Sequence, residues 1–256
     1  MREYSIFKIT SKRLKREVRI FVSLPKSYFN TEKLYPVLYM PDGQNLFDDK
    51  QATYGKSWGI LEAYEKYPSI PELIIIGIDS DENRSDELTP FKFIFNDGEP
   101  EVGGRINDYL DFVVKTLKPH VDKKYRTFKS PKNTGIMGSS FGGVLATYAA
   151  LKYSEYFTKF GCVSNAYFPF QKQFVELTKK TDIRNIKKLY MDVGTKETDD
   201  EKYRVSYIES NQEIFDILKE KIVPENIKFE IIKDGIHNEK DWEKRFPHII
   251  NFLFNV

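Results

Sequence analysis

The stretch from Thr134 to Ala150 constrains this chain more than any other. An apolar run, Thr134-Gly135-Ile136-Met137, leads into Gly138-Ser139-Ser140-Phe141-Gly142, a G-x-S-x-G pentapeptide. Val144 to Ala150 then continues as a small-residue helical pattern. The order is strand, sharp turn, helix. Such a turn lifts the central serine above the end of a sheet in a strained backbone, and glycine two residues to either side lets strand and helix approach closely. Ser140 is the candidate nucleophile and Ser139 its bystander. Five loosely specified positions also fit a plain glycine-rich turn, so the rest of the chain must supply the partners.

Strand and helix patterns alternate along most of the 256 residues. Residues 4 to 10 and 17 to 24 read as strands joined by the basic turn Lys12 to Arg16, an antiparallel opening hairpin. Continuous apolar runs at 36 to 40 and 73 to 78 read as strands buried on both faces. A helix is expected from Trp58 to about Tyr67, and the spacing Leu110, Val113, Val114, Leu117 predicts another from Ile106 to near Pro119. Beyond the elbow helix come a strand at 160 to 164, a loop and helix over 165 to 180, and a strand at 188 to 194. A long helix over 201 to 221, a strand at 227 to 232 and a closing helix over 242 to 254 complete the chain. The pattern implies a mostly parallel sheet covered by helices on both faces, in one α/β domain spanning 1 to 256.

Composition removes several function classes. Forty basic against 38 acidic residues give a net charge of +2, with no electrostatic case for nucleic acid or an anionic membrane surface. The single cysteine, Cys162, excludes an internal disulfide and any multi-cysteine metal site, and its apolar neighbours predict inert burial. The N-terminus lacks an apolar signal region and no stretch reaches the length of a membrane span, so the cytoplasm is the expected location.

A serine nucleophile needs a base, and the base needs an acid to fix its tautomer and stabilise its cation. Of the three histidines, His120 precedes the serine at a helix end and His248 sits inside the last helix pattern. His237, in Asp234-Gly235-Ile236-His237-Asn238 just after the last strand, is the candidate base. The acid should lie between Ser140 and His237, at the carboxyl end of the intervening strand. Glu197 ranks first, and Asp192, Asp199 and Asp200 remain alternatives. An oxyanion needs two fixed backbone N–H donors. Phe141, directly after the nucleophile, supplies one, and the loop Asp42-Gly43-Gln44-Asn45 after the third strand supplies the other, with Gln44 favoured.

Four stretches together resemble the esterase family of α/β-hydrolases that includes esterase D, feruloyl and acetylxylan esterases, enterochelin-type siderophore esterases and the mycolyltransferases. They are Leu38 to Phe47, Met137 to Gly143, Asp192 to Glu197, and Gly235 to Glu239 with Trp242. The resemblance covers nearly the whole chain in order. It implies an α/β-hydrolase fold with Ser140 as nucleophile, His237 as base, Glu197 as acid, and Gln44 and Phe141 N–H groups as the oxyanion hole. Many members carry aspartate where this chain has Glu197.

The expected activity is serine carboxylic ester hydrolysis through an acyl-enzyme, without metal or cofactor, on small acyl, aryl or siderophore-type esters. Transfer of the acyl group to another alcohol, or action on a carbohydrate ester, is the alternative. Two segments are expected to wall the pocket: the long loop Asp79 to Gly104, with Phe91, Phe93 and Phe95, and Asn165 to Phe174. Trp58, Tyr167, Phe168 and Arg84 are the candidate substrate contacts. Arg84 and Arg105 could each take a substrate anion or instead serve in structural ion pairs.

Overall fold

The computed structural model describes residues 2–255. Its opening strands β1 (Tyr4–Ser11) and β2 (Arg16–Ser23) pair antiparallel, with Tyr4 opposite Ser23. Then come β3 (Val37–Pro41), α1 (Ile60–Lys66), β4 (Ile74–Ile78), α2 (Arg84–Leu88), and the two-residue strands β5 (Lys92–Phe93) and β6 (Val102–Gly103). The chain continues through α3 (Ile106–Phe112), α4 (Lys118–Lys124), β7 (Thr134–Ser139), α5 (Phe141–Lys152), β8 (Lys159–Val163) and α6 (Gln171–Lys180). It closes with β9 (Lys188–Lys196), α7 (Glu201–Lys219), β10 (Ile227–Ile236) and α8 (Glu239–Phe254).

Eight strands form one sheet in the order β1-β2-β4-β3-β7-β8-β9-β10. All neighbours from β4 to β10 run parallel, and β2 meets β4 antiparallel. This is the mostly parallel, doubly covered sheet with an N-terminal hairpin that the periodicity predicts. Because side chains alternate along a strand, the two faces feed different cores. Val37 and Tyr39 join the cluster packed under α3, α5 and α7, whereas Leu38 and Met40 join the one under α1 and α8. Cys162 is fully buried, and burial pushes its thiol up to about 12, which keeps it protonated and inert.

Two expectations change. The helix from Ile106 does not stop near Pro119 but runs on to Lys124, passing through a π-turn at Val113–Leu117. Proline has no N–H to donate to the preceding turn, and the widened turn directly before it absorbs that loss without ending the helix. The segment from Asp79 to Gly104 is also more ordered than its weak periodicity implies, since it holds α2 and the β5–β6 ladder, with Phe93 opposite Val102. No helix among the described residues is long and apolar enough to cross a membrane.

Candidate active site

The elbow is built as its sequence demands. Ser140 joins β7 to α5 at φ 59° and ψ −123°, a region that residues with a side chain rarely occupy. Its N–H donates to the Val163 carbonyl at 2.9 Å, which anchors the turn to β8. A Cβ on Gly138 would lie 2.8 Å from the Gly142 carbonyl carbon, and one on Gly142 would lie 2.9 Å from the Pro41 ring. Any larger residue at either position would push strand and helix apart, so both glycines follow from packing. Phe141 is the first residue of α5, where backbone N–H groups have no partner within the helix.

The loop after β3 comes alongside. Asp42 adopts the left-handed conformation at φ 57°, and Gly43–Asn45 form one 3₁₀ turn in which Asn45 N–H donates to Asp42 O at 2.8 Å. The Gln44 side chain is tied from both ends: its amide nitrogen donates to Thr53 Oγ1 at 3.3 Å and its oxygen accepts from Ser80 N–H at 3.2 Å. The Arg84 guanidinium grips both carboxylate oxygens of Asp42, at 2.7 and 2.8 Å, and lies 5.8 Å from the centre of the Phe141 ring. Arg84 therefore spans the two segments assigned to the oxyanion hole.

His237 directly follows β10, and Glu197 directly follows β9. Their side chains meet, with His237 Nδ1 2.6 Å from Glu197 Oε2. The Glu197 side chain has no exposed surface, and its second oxygen accepts the Gly194 N–H at 2.5 Å. The His237 ring is held between Tyr207, 5.3 Å away by ring centres, and Trp242, 5.0 Å away. The other acids are committed elsewhere. Asp192 is fully buried and takes hydrogen bonds from Ser164 N–H and Arg245 at 3.0 Å and from the Tyr190 hydroxyl at 3.1 Å. Burial lifts its pKa to about 6, against the pull of Arg245. Asp200 caps α7 through Tyr203 N–H, and Asp199 is exposed.

Ser140, His237, Gln44, Trp58 and Arg84 all border one cavity of about 320 Å³. Its apolar walls include Met40, Leu46, Trp58 and Trp242, and Glu239 lies among them. A cavity of this size with a few convergent polar groups suits a small organic ligand.

A model of the family described as "Putative esterase" matches residues 11–253. The chain belongs to this esterase family. It is a carboxylic ester hydrolase with the α/β-hydrolase fold. The esterase is 26% identical over 243 residues to the protein YbbA of Bacillus subtilis (strain 168), a match covering 92% of each chain. Its fold is similar to that of an IroE-like serine hydrolase from Shewanella oneidensis, at a TM-score of 0.79 and 20% identity, covering 98% of this chain and 80% of the other. It is also similar to that of the enterobactin esterase FES from Shigella flexneri, at a TM-score of 0.75 and 20% identity, covering 98% of this chain and 58% of the other.

Several expected substrate contacts lie away from the esterase's cavity. Tyr167 is fully buried and its hydroxyl is bonded to Thr147, because the strand-to-helix connection after β8 turns it into the core. Phe168 packs on Tyr203 and Tyr207 instead. Phe93 is buried against Phe141 and Phe170 at 5.5 Å each, and so props the start of α5. Arg105 bonds Asp108 and the Arg13 carbonyl, which makes it a structural cation.

Two residues at the site carry no signal in the sequence. Tyr207, on the buried face of α7, packs its ring 5.3 Å from that of His237; burial and the nearby Glu197 charge raise its pKa. Glu239, the first residue of α8, is only 5% exposed and accepts a hydrogen bond from Asn45 Nδ2 at 3.1 Å. A 3.6-residue apolar period hides Tyr207 within its helix, and Glu239 has the pattern of any acidic first-turn residue.

Proposed function

We propose that this esterase cleaves its substrate through a Ser140-His237-Glu197 triad and a covalent acyl-enzyme. The observation that carries the reading is the 2.6 Å contact between the buried Glu197 carboxylate and Nδ1 of His237, which borders the same cavity as the elbow serine. A carboxylate at Nδ1 keeps the proton on that nitrogen and leaves Nε2 unprotonated as the base. Ser140 Oγ attacks the ester carbonyl carbon while Nε2 takes the hydroxyl proton. The tetrahedral oxyanion is stabilised by the N–H groups of Gln44 and Phe141. Its collapse expels the alcohol, which leaves with the proton from Nε2. Water deprotonated by the same nitrogen then attacks the acyl-serine, releasing the acid and regenerating Ser140.

The cavity's size and its Met40, Leu46, Trp58 and Trp242 walls support small acyl or aryl esters. The fold shared with an enterobactin esterase supports a siderophore-type ester as a member of that class. The family match over 11–253 supports one esterase domain carrying the whole reaction. Labelling with a fluorophosphonate, followed by an ester panel of short acyl, feruloyl, acetyl-sugar and siderophore trilactone substrates, tests the reading. The wild type should label and Ser140→Ala should not. Labelling of Ser140→Ala, or its loss in Ser139→Ala alone, would move the nucleophile.

A further inference from the structure

Asn45 and Glu239 lie 194 residues apart in the chain and meet in the buried wall of the cavity, where Asn45 Nδ2 donates to Glu239 Oε1 at 3.1 Å. Each is the fixed point of its own segment. Asn45 closes the 3₁₀ turn after β3 by donating its N–H to Asp42 O. Its side-chain oxygen accepts from Thr53 N–H at 2.9 Å, and its carbonyl accepts from Trp58 N–H at 2.8 Å. Apart from Nδ2, every hydrogen-bonding group of Asn45 is thus used to hold the loop that presents Gln44. On the other side, Glu239 opens α8 two residues after His237. Asn238 between them caps the helix through Asp241 N–H at 2.9 Å. A shift of Glu239 must therefore carry the base with it, because only the capped turn separates them.

We infer that Glu239 is a positioning residue: its hydrogen bond to Asn45 sets the spacing between the oxyanion donor loop and the base His237. The inference rests on the triad reading above. Those two segments come from opposite ends of the chain, and no backbone hydrogen bond ties residues 42–45 to residues 237–239 among the described residues. The Trp58–Trp242 pair, at 5.7 Å between ring centres, and the partly exposed Lys56–Glu243 ion pair at 3.0 Å join the flanking stretches, but an aromatic contact is broad in angle and distance and a solvent-facing ion pair holds weakly. A hydrogen bond fixes both angle and distance. The carboxyl group acts here as an acceptor, and its charge is not what the contact requires. Burial raises the Glu239 pKa, opposed by its own backbone N–H and by the His237 and Arg84 charges.

The experiment separates acceptor from charge. Glu239→Gln retains an oxygen for Asn45 Nδ2, and its kcat should stay within about threefold of wild type. Glu239→Ala releases the two segments, and kcat should fall by about 10²-fold, as expected for a misplacement of about 1 Å, with KM changed by less than about threefold. The rate of fluorophosphonate labelling should fall alongside kcat, and Asn45→Ala combined with Glu239→Ala should lose no more than the worse single variant. Thermal melts accompany each variant; if Glu239→Ala does not fold, Glu239→Met, which fills a similar volume but offers Asn45 Nδ2 no carboxyl acceptor, removes the same contact. Wild-type kcat in Glu239→Ala would overturn the inference, and so would a Gln variant as impaired as Ala. A wild type that neither labels nor hydrolyses any ester would instead overturn the triad reading, and this inference with it.

Discussion

Replacing Glu197 by glutamine tests the triad at its most constrained point. The carboxylate accepts two hydrogen bonds, one from the Gly194 N–H at 2.5 Å and one from His237 Nδ1 at 2.6 Å. A glutamine of the same shape offers one acceptor and one donor group, so it can satisfy only one of these. If its oxygen turned to His237, its NH₂ would face the Gly194 N–H, and two buried donors in contact would cost about 1–3 kcal/mol. With the oxygen on Gly194, the NH₂ donates to Nδ1 and every group is satisfied. The second arrangement wins. It moves the ring proton to Nε2, the nitrogen that must accept the proton of Ser140, and removes the negative charge that stabilises the imidazolium. Inversion of this kind in a serine hydrolase costs about 10³–10⁴ in kcat, or ~4–5.5 kcal/mol of barrier. The fold should keep its thermal midpoint, since no buried group is left unpaired. Steady-state hydrolysis of a p-nitrophenyl ester from pH 6 to 9 measures the loss. A Glu197→Gln variant within tenfold of wild type, or a greater loss in Asp192→Asn, Asp199→Asn or Asp200→Asn with folding intact, would refute the assignment.

Tyr207→Ala removes one of the two aromatic rings that hold His237, and kcat should fall by about tenfold, whereas Tyr207→Phe, which keeps that ring, should stay within about threefold of wild type. Steady-state rates of both variants check this, and a Tyr207→Ala variant as active as wild type would remove the ring from the positioning of the base. Arg84→Met should lower kcat by about tenfold for neutral and anionic esters alike, because it releases Asp42 at the foot of the donor loop. A KM increase confined to anionic esters would instead assign the guanidinium to substrate binding. Asp192 has a pKa raised to about 6 from an ordinary 3.8, so the fold favours its neutral form. That contribution to stability is complete below about pH 4 and is lost as pH rises through about 6, a change of up to ~3 kcal/mol. Urea unfolding of wild type and Asp192→Asn at pH 4, 5, 6 and 7 should show the difference moving in favour of the asparagine variant over that window. A difference independent of pH would contradict it.

The parts of the molecule legible from sequence are those in which local chemistry and burial agree. Leu73 to Ile78 is apolar throughout because β4 is covered on both faces, and Val18, Ile20 and Val22 alternate because β2 presents one face to the larger core. The elbow is legible for a steric reason, since Gly138 and Gly142 occupy positions where a Cβ would strike backbone or proline. The course of the chain through Pro119 is not, because a proline ends a helix unless the preceding turn widens, and that widening depends on packing around Val113 to Leu117, all but Lys115 and Thr116 of which are buried. The pocket walls are misread from sequence for a related reason. The aromatics Tyr167 and Phe93 resemble a binding surface in sequence, yet an aromatic ring serves a core equally well, and only the path of the chain after β8 and β4 decides between them.

The choice among four acids shows how burial and partners together select a role. Asp192, Glu197, Asp199 and Asp200 lie within nine residues, the first in the middle of β9 and the other three just beyond its carboxyl end. Asp199 and Asp200 remain in solvent, where a carboxylate could hold a histidine only weakly against water. Asp192 is buried as deeply as Glu197, but Arg245, Ser164 N–H and Tyr190 already occupy both of its oxygens. Glu197 alone combines full burial of the side chain with an oxygen aimed at His237. The longer side chain matters here: Glu197 stands beyond the last residue of β9 and reaches back, so that one oxygen bonds Gly194 three residues earlier while the other meets the imidazole. An aspartate at 197 would be one methylene short of spanning both, and Glu197→Asp should therefore retain only one of the two contacts and act more slowly than wild type.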